Sequence, residues 1–267
     1  MIATVKSRLF FGASVSAPWQ TDLPQGRIIS AQMRHMTLLF LGEQDVETML
    51  SFTSNLPRLM TTLAPCGFAN HLLFFPEHDP RVVACNANWL EGGDAVMQFQ
   101  RDLEKTFVDK GIVLQSARPF VPHITIARQP FDASLWLEQF APMPFFLTGI
   151  HLYESRGNLE YRSLWESALH PPFVEIAHTA DIAFKIYGET YAQLHRHAEL
   201  ALAFLFPPFA SRFSSQLQNS IDEMIMALND LIALLDAEMG IPLKAVSFHT
   251  KLEKSEHLLS WEMIIDV

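Results

Sequence analysis

Two short stretches, "RHMTLLFLG" at residues 34–42 and "FVPHITIAR" at residues 120–128, each carry a histidine two residues before a threonine among apolar neighbours. The histidines, His35 and His123, lie 88 positions apart. On a β-strand, residues i and i+2 share a face, so His35 projects with Thr37 and His123 with Thr125. Met36, Leu38, Ile124 and Ile126 then turn the other way, into a core. If the two strands lie side by side, two imidazoles and two hydroxyls meet on one patch. Such a patch suits acid–base chemistry on a phosphodiester. A neutral imidazole removes a proton from water, a protonated one donates to the leaving oxygen, and the hydroxyls donate to phosphate oxygens. An ordinary imidazole pKa of about 6.5 permits both forms near neutrality. One His-x-Thr on an apolar strand reads as a structural histidine; the second copy turns the reading toward function.

Three neighbours of the motifs bear on the same patch. Arg128 is suited to bidentate phosphate contact, but its strand parity differs from that of His123, so reaching the patch requires a strand twist or a bulge. Arg34 also has the wrong parity, and a solvated surface role suits it at least as well as phosphate contact. Phe120 has two open readings, stacking on a nucleobase and packing in the core.

The elements that must position these residues alternate along residues 1–168. Strands are predicted at 7–15, 34–42, 68–75, 81–88, 121–128, 145–153 and 160–167, mostly rich in Phe, Leu, Ile and Val. Helices are predicted at 45–63, opened by Asp45 and bent at Pro57, and at 94–110, where Phe99, Leu103 and Phe107 recur every four residues and Gly111 is the stop. The result is an α+β domain. "HPP" at residues 170–172 marks a boundary, because consecutive prolines continue neither helix nor sheet. A second unit, 173–267, reads as one strand to Gly188, a helix over about 189–206, a break at "PPF", a helix over about 221–239 and two closing strands. Ser220 and Glu223 have capping-box spacing, and Gly240 ends that helix. His195 and His197, two apart on a helix, point about 200° apart and cannot easily share a zinc ion; a solvated or boundary position is expected for them.

Composition narrows the classes further. The 267 residues are 49% hydrophobic and 18% charged, enough to bury a real core. No apolar run approaches the roughly 20 residues that span a bilayer, so a protein without membrane association is expected. The opening "MIATVKSRLFFGASVSAPW" loosely imitates a secretory signal, but Ser and Gly interrupt its apolar core and a first strand is the better reading. Cys66 and Cys85 have neither metal nor redox spacing, which fits a reducing compartment and a cytoplasmic location. The net charge of −10 argues against a broad nucleic-acid surface. It is unevenly placed: residues 1–168 hold 13 Lys and Arg against 16 Asp and Glu, and ten of those cations are arginines. A small phosphate site is compatible with that balance.

The segments "RLFFG", "RHMTLLFLGE" and "RPFVPHITIAR" resemble, in content, order and spacing, the two-histidine (2H) phosphoesterases, specifically the LigT-like bacterial RNA 2′,3′-cyclic phosphodiesterases. The resemblance covers about residues 7–167. It implies a bilobal 2H phosphoesterase fold with pseudo-twofold antiparallel sheets, the two motifs lining a central cleft, and metal-free hydrolysis of a 2′,3′-cyclic phosphate to a 2′-phosphate. His35 and His123 would be catalytic, with Thr37, Thr125, Arg128 and Phe120 binding the substrate, an RNA with a 2′,3′-cyclic phosphate end or a small cyclic nucleotide.

In the second unit, "VEIAHTADIAFKIYGETYAQLHRHAELALAFLF" and "LKAVSFHTKLEKSEHLLSWEMIIDV" resemble the opening and the close of archease, the small protein that activates the RNA ligase joining 2′,3′-cyclic phosphate ends. This implies a shortened archease-like α+β domain. Asp181 and Asp266 would bind a divalent cation, Ca²⁺ or Mg²⁺, with His178 orienting the acid; Lys244 and His249 fall in the closing motif without an assigned role. Three functions follow as expectations. The first is a cyclic phosphodiesterase fused to this module. The second is an activator of a tRNA-splicing RNA ligase whose first domain only binds RNA. The third is a second unit that merely packs or dimerises.

Overall fold

A computed structural model describes residues 6–114, 119–177, 182–248, 252–255 and 257–267. The chain divides into two compact units, Met1–Leu169 and His170–Val267.

The first unit runs β1 (Lys6–Ser16), β2 (Arg27–Ile28), β3 (His35–Asp45), α1 (Val46–Phe52), β4 (Cys66–Ala69), β5 (Leu72–Phe75), β6 (Val82–Asn86), β7 (Asn88–Glu91), α2 (Gly93–Asp109), β8 (His123–Arg128), α3 (Ala133–Gln139), β9 (Met143–Gly157) and β10 (Glu160–Ala168). It is an α+β unit. Its strands join in the order β5-β6-β8-β3-β1-β9-β4-β7, with β10 on β9 and β2 on β8, every pairing antiparallel.

The register carries an internal twofold relation. On β1 and β3, Ser14, Ala13, Gly12, Phe11 and Phe10 face His35, Met36, Thr37, Leu39 and Phe40. On β6 and β8, Asn86, Cys85, Ala84, Val83 and Val82 face the residues 88 positions later: His123, Ile124, Thr125, Ala127 and Arg128. One residue is skipped in each run, Leu38 in the first and Ile126 in the second, which is the same place in both. The outer strands follow suit, because Ile150, His151, Leu152 and Tyr153 of β9 pair with β1 as Leu72, Leu73, Phe74 and Phe75 of β5 pair with β6. The modules β9-β1-β3 and β5-β6-β8 meet at a single pair, Met36 with Ile124, which are themselves equivalents. An antiparallel pair of equivalent residues is what a twofold axis between them produces. Below the sheet, Phe99, Leu103 and Phe107 of α2 join a buried cluster with Phe11, Met36, Leu38, Ile124 and Ile126.

Several sequence expectations change for local reasons. The helix predicted over 45–63 stops at Phe52 and passes into a 3-10 turn at Thr53–Asn55. The Ser51, Thr53 and Ser54 hydroxyls bond back to the carbonyls of Thr48, Leu50 and Ser51, and Leu56, before Pro57, is extended. The strand predicted over 68–75 is two strands, because the Asn86 side chain accepts the backbone N–H groups of both Asn70 and His71 and withdraws them from the ladder. The strand predicted over 81–88 likewise breaks at Ala87. The helix α3, capped by Asp132 and pinned by buried Trp136, was not expected.

The second unit runs β11 (Phe173–Ile176), β12 (Ile182–Gly188), α4 (Tyr191–Leu205), a 3-10 segment at Pro207–Arg212, α5 (Ile221–Met239), β13 (Ala245–Phe248), β14 (Glu253–Lys254) and β15 (Leu259–Asp266). Its sheet is antiparallel, ordered β11-β12-β15-β13 with β14 on β15. The single strand predicted over 173–188 is two strands, paired from Phe173–Ile186 to Ile176–Ala183. Ser220 caps α5 through the Glu223 N–H, and Gly240 ends it at φ +67°.

His195 and His197 correct the expectation of solvated positions: they are 0% and 1% exposed. Helix α4 is covered on more than one side, with Leu194, Ala198, Leu200, Ala201 and Leu202 all buried. The two rings do point to different partners. The His197 Nδ1 donates to the Tyr187 carbonyl at 2.6 Å, while the His195 Nδ1 accepts the Gln218 N–H at 3.1 Å. Glu199, 1% exposed, accepts from the Ser214 N–H and the Arg196 guanidinium, and burial pushes its carboxyl up to about 7. His195 and Glu199 tether loop backbone and His197 ties α4 to β12; among the described residues no group of three or more His, Cys, Asp or Glu is placed to hold a metal.

Candidate active site

The two histidines sit at the meeting of the modules. Met36 and Ile124, each 0% exposed, point into the core, so His35 and Thr37 share the opposite face with His123 and Thr125. A ladder continued one step either side of the Met36–Ile124 pair sets the two histidine positions on a diagonal that spans roughly 7–8 Å. His35 is 7% exposed. His123, Thr37 and Thr125 are half-buried.

Both rings are held in the same way. The His35 Nδ1 lies 2.7 Å from the Met33 carbonyl, and the His123 Nδ1 lies 2.7 Å from the Val121 carbonyl. A carbonyl only accepts, so each Nδ1 carries its proton and each neutral ring keeps its lone pair on Nε2. That is a base when neutral and an acid when protonated, aimed by a backbone anchor. Aromatic rings flank the pair at equivalent positions: Tyr153 stands 5.2 Å from His35 and its counterpart Phe75 stands 4.9 Å from His123. His35 also meets Phe10 at 4.9 Å and the edge of Tyr161 at 4.8 Å. Gly12 makes room for this cluster, since a Cβ there would lie 3.2 Å from His35 Cδ2 and 3.3 Å from Tyr153 Cδ2.

The bulge that Arg128 requires is present. Because Ile126 is skipped in the pairing with β6, both Ile126 and Ala127 are buried and Arg128 emerges exposed, on the face of His123 and Thr125. Its guanidinium is near enough to act on the His35 ring electrostatically. Burial pushes the His35 pKa down to about 4; the bond to Met33 opposes this, and the charges of His123, His151 and Arg128 add to it. Burial also lowers His123, against its bond to Val121. Beside His35 a groove of about 650 Å³ opens, lined in part by Ser30, Met33, Tyr161, Arg162 and Ser163.

Other residues singled out in the sequence are placed elsewhere. Phe120 is half-buried and packs against the core cluster. Arg34 corrects the expectation of a solvated residue: it is 5% exposed, donates from Nε to the Ile29 carbonyl at 3.0 Å and lies 4.5 Å above the Trp19 ring. Its Nε has a carbonyl acceptor and its planar head an aromatic ring, which is what lets arginine be buried. Asp181, His178 and His249 lie outside the described residues. Asp266 is exposed at the end of β15, with the Lys244 Nζ 4.0 Å from its Oδ1. An ammonium at that distance competes only weakly with a cation for an exposed carboxylate, and it also donates to the Val267 carbonyl.

Sequence reasoning missed His151, Tyr153 and Tyr161. The alternation His151, Tyr153 within "GIHLYES" was the available signal: two polar-edged rings on one face of a strand already predicted as such.

No protein-family model matches the chain. Over 105 residues, 39% of this chain and 55% of the relative, it is 29% identical to an RNA 2′,3′-cyclic phosphodiesterase of Aquifex aeolicus (strain VF5). The chain thus spans about half the length of that curated relative. Among solved structures it is similar to E. coli LigT complexed with 3′-AMP, at 24% identity over 61% of this chain and 98% of that one, with a TM-score of 0.45. It is also similar to the TT0787 protein of Thermus thermophilus, at 22% identity over the same shares, with a TM-score of 0.44. The similarity to LigT-like two-histidine phosphoesterases lies in the N-terminal ~60% of the chain.

Proposed function

We propose that the first unit is an RNA 2′,3′-cyclic phosphodiesterase that opens 2′,3′-cyclic phosphate ends to 2′-phosphates. The observation that carries this reading is the pair of imidazoles, related by the twofold register and each anchored through Nδ1 so that Nε2 is left for chemistry. One neutral Nε2 takes a proton from water as its oxygen bonds to phosphorus. The P–O3′ bond breaks, and the other Nε2, protonated, gives its proton to O3′. The products are a 2′-phosphate and a free 3′-hydroxyl. Thr37 and Thr125 donate to the non-bridging oxygens, and Arg128 offsets their charge. The groove beside His35 gives the nucleoside room. The test is incubation of a short RNA bearing the cyclic end, followed by ³¹P NMR. A 2′-phosphomonoester is expected; a 3′-phosphomonoester, or unchanged starting material, contradicts the reading.

The pH dependence follows from the burial of both rings. Each pKa is lowered, so in the free protein at pH 7 both rings are neutral, whereas the reaction needs one of them protonated. Lowering the pH supplies that proton until His35 also protonates, at about 4. The profile of kcat/KM is therefore expected to be bell-shaped with its maximum below the ordinary imidazole value of about 6.5, and rates at pH 5.5 should exceed those at pH 7.5. A maximum above pH 7 contradicts it.

For the second unit, the reading extends to an archease-like module that serves the same RNA ends, through a divalent cation at Asp181 and Asp266 and a tRNA-splicing RNA ligase as partner. What supports it is the pair of matching terminal stretches; the Lys244 ammonium beside Asp266 opposes it only weakly. Stimulation of ligase turnover by this protein, lost in Asp266→Ala, is the expected result, and no stimulation rejects it.

A further inference from the structure

Two histidines related by a twofold axis have no reason to differ, yet one must act as acid while the other acts as base. The register shows where the equivalence fails. Counterparts across the axis are alike at Met36 and Ile124 and at Tyr153 and Phe75, but His151 of β9 has as its counterpart Leu73 of β5. At that position an imidazole stands on the side of His35 and a leucine on the side of His123; His71, which precedes Leu72 in the other module, is exposed with its Nδ1 2.9 Å from the Asn70 Oδ1.

His151 is 8% exposed and held at both nitrogens. Its Nδ1 lies 2.9 Å from the Ser163 Oγ and its Nε2 lies 2.9 Å from the Ser14 Oγ. The hydroxyl of Ser163 donates to the Trp165 carbonyl at 3.2 Å, so it accepts from His151 and Nδ1 bears the proton. Ser14 then donates to Nε2 and accepts from Thr148, whose Oγ1 is 2.6 Å away. When His151 gains a second proton, Ser14 can turn its own to the Gly149 carbonyl at 3.3 Å, so the network accommodates either state. Ser14 is the cross-strand partner of His35, and the rings of His35 and His151 both pack against Tyr153, at 5.2 and 4.9 Å.

We propose that His151 is the positioning residue that tells the two catalytic histidines apart, acting on His35 across the Tyr153 ring and through its clasp on Ser14. This rests on the phosphodiesterase reading of the site. The titratable groups facing His151 are Glu166 of β10, whose carboxylate is 4.0 Å from Nδ1, Tyr153 of its own strand and His35 of β3. Those acting on His35 are His123, His151 and Arg128, and only for His35 is the charge of His151 among the causes of its lowered pKa.

The experiment is a ¹H NMR titration of the histidine Cε1 protons in the full chain, wild type and His151→Gln, beside the pH profile of kcat/KM. The amide keeps polar contacts with Ser14 and Ser163 but never carries charge. The His35 resonance is expected to titrate at a pH higher by about half a unit or more, with His123 unmoved, and the acid limb of the profile should shift with it. Glu166→Gln, at an exposed position, removes the charge that favours protonated His151 and should move His35 in the same direction by less; it serves as the second variant if His151→Gln does not fold. An unmoved His35, or equal shifts of His35 and His123, overturns the proposal. Because the titration reads ionisation without turnover, its outcome is separate from whether the cyclic phosphate is hydrolysed.

Discussion

Replacing either His35 or His123 with alanine is expected to lower kcat on a cyclic-ended RNA by about 10²- to 10⁴-fold each, the usual contribution of one general acid or base. The double replacement should cost little more than the worse single one. Acid and base act in one transition state, and once one is gone the other has no partner to work with. Substrate affinity should change far less, since the threonines and Arg128 remain. The fold should survive, because both rings lie on the face of the sheet opposite Met36 and Ile124, which hold the junction from the core side. Single-turnover rates with melting curves on the three variants decide it. A single variant that keeps more than a tenth of the wild-type rate, while melting normally, rejects that ring as acid or base.

The second large effect is expected at Arg128. Losing its guanidinium should lower kcat/KM by roughly 10- to 100-fold, the range of a charge-assisted hydrogen bond of about 1.5–3 kcal/mol. The loss should fall mainly on KM, and Arg128→Lys should recover only part of it, because an ammonium replaces the charge without the fork. A second sign accompanies it. The Arg128 charge is one of the influences that lower the His35 pKa, so the alanine variant should shift the acid limb of the pH profile slightly upward. An Arg128→Ala protein with unchanged KM and unchanged pH profile removes Arg128 from the site.

Arg128 also shows what the sequence could and could not disclose. Strand parity alone sets it on the wrong face, and the condition for bringing it round, a bulge, was readable as a condition but not as a fact. The bulge sets Ile126 and Ala127, both apolar, side by side in the core, an adjacency that strict alternation does not allow. His35, Thr37, His123 and Thr125 were legible because alternation holds across those positions and the motif occurs twice. The break in the strand predicted over 68–75 was not, because it depends on one asparagine, Asn86, bonding across 15 and 16 residues of chain. Burial of Arg34, His195 and His197 was hidden for a related reason. Each of these side chains is buried where backbone outside its own element supplies a partner, here Ile29, Gln218 and Tyr187. His151 was not legible because it lies outside the repeated motif, with Leu73 at the equivalent position.

The central claim is that both imidazoles turn Nε2 toward one phosphate while Nδ1 stays protonated on its carbonyl. Titration of ¹⁵N-histidine-labelled protein with adenosine 2′-monophosphate, observed by NMR at both ring nitrogens, tests it directly. The Nε2 signals of His35 and His123 are expected to move together along one binding curve while both Nδ1 signals keep the protonated shift. Movement of only one ring, or an Nδ1 that loses its proton, would contradict it.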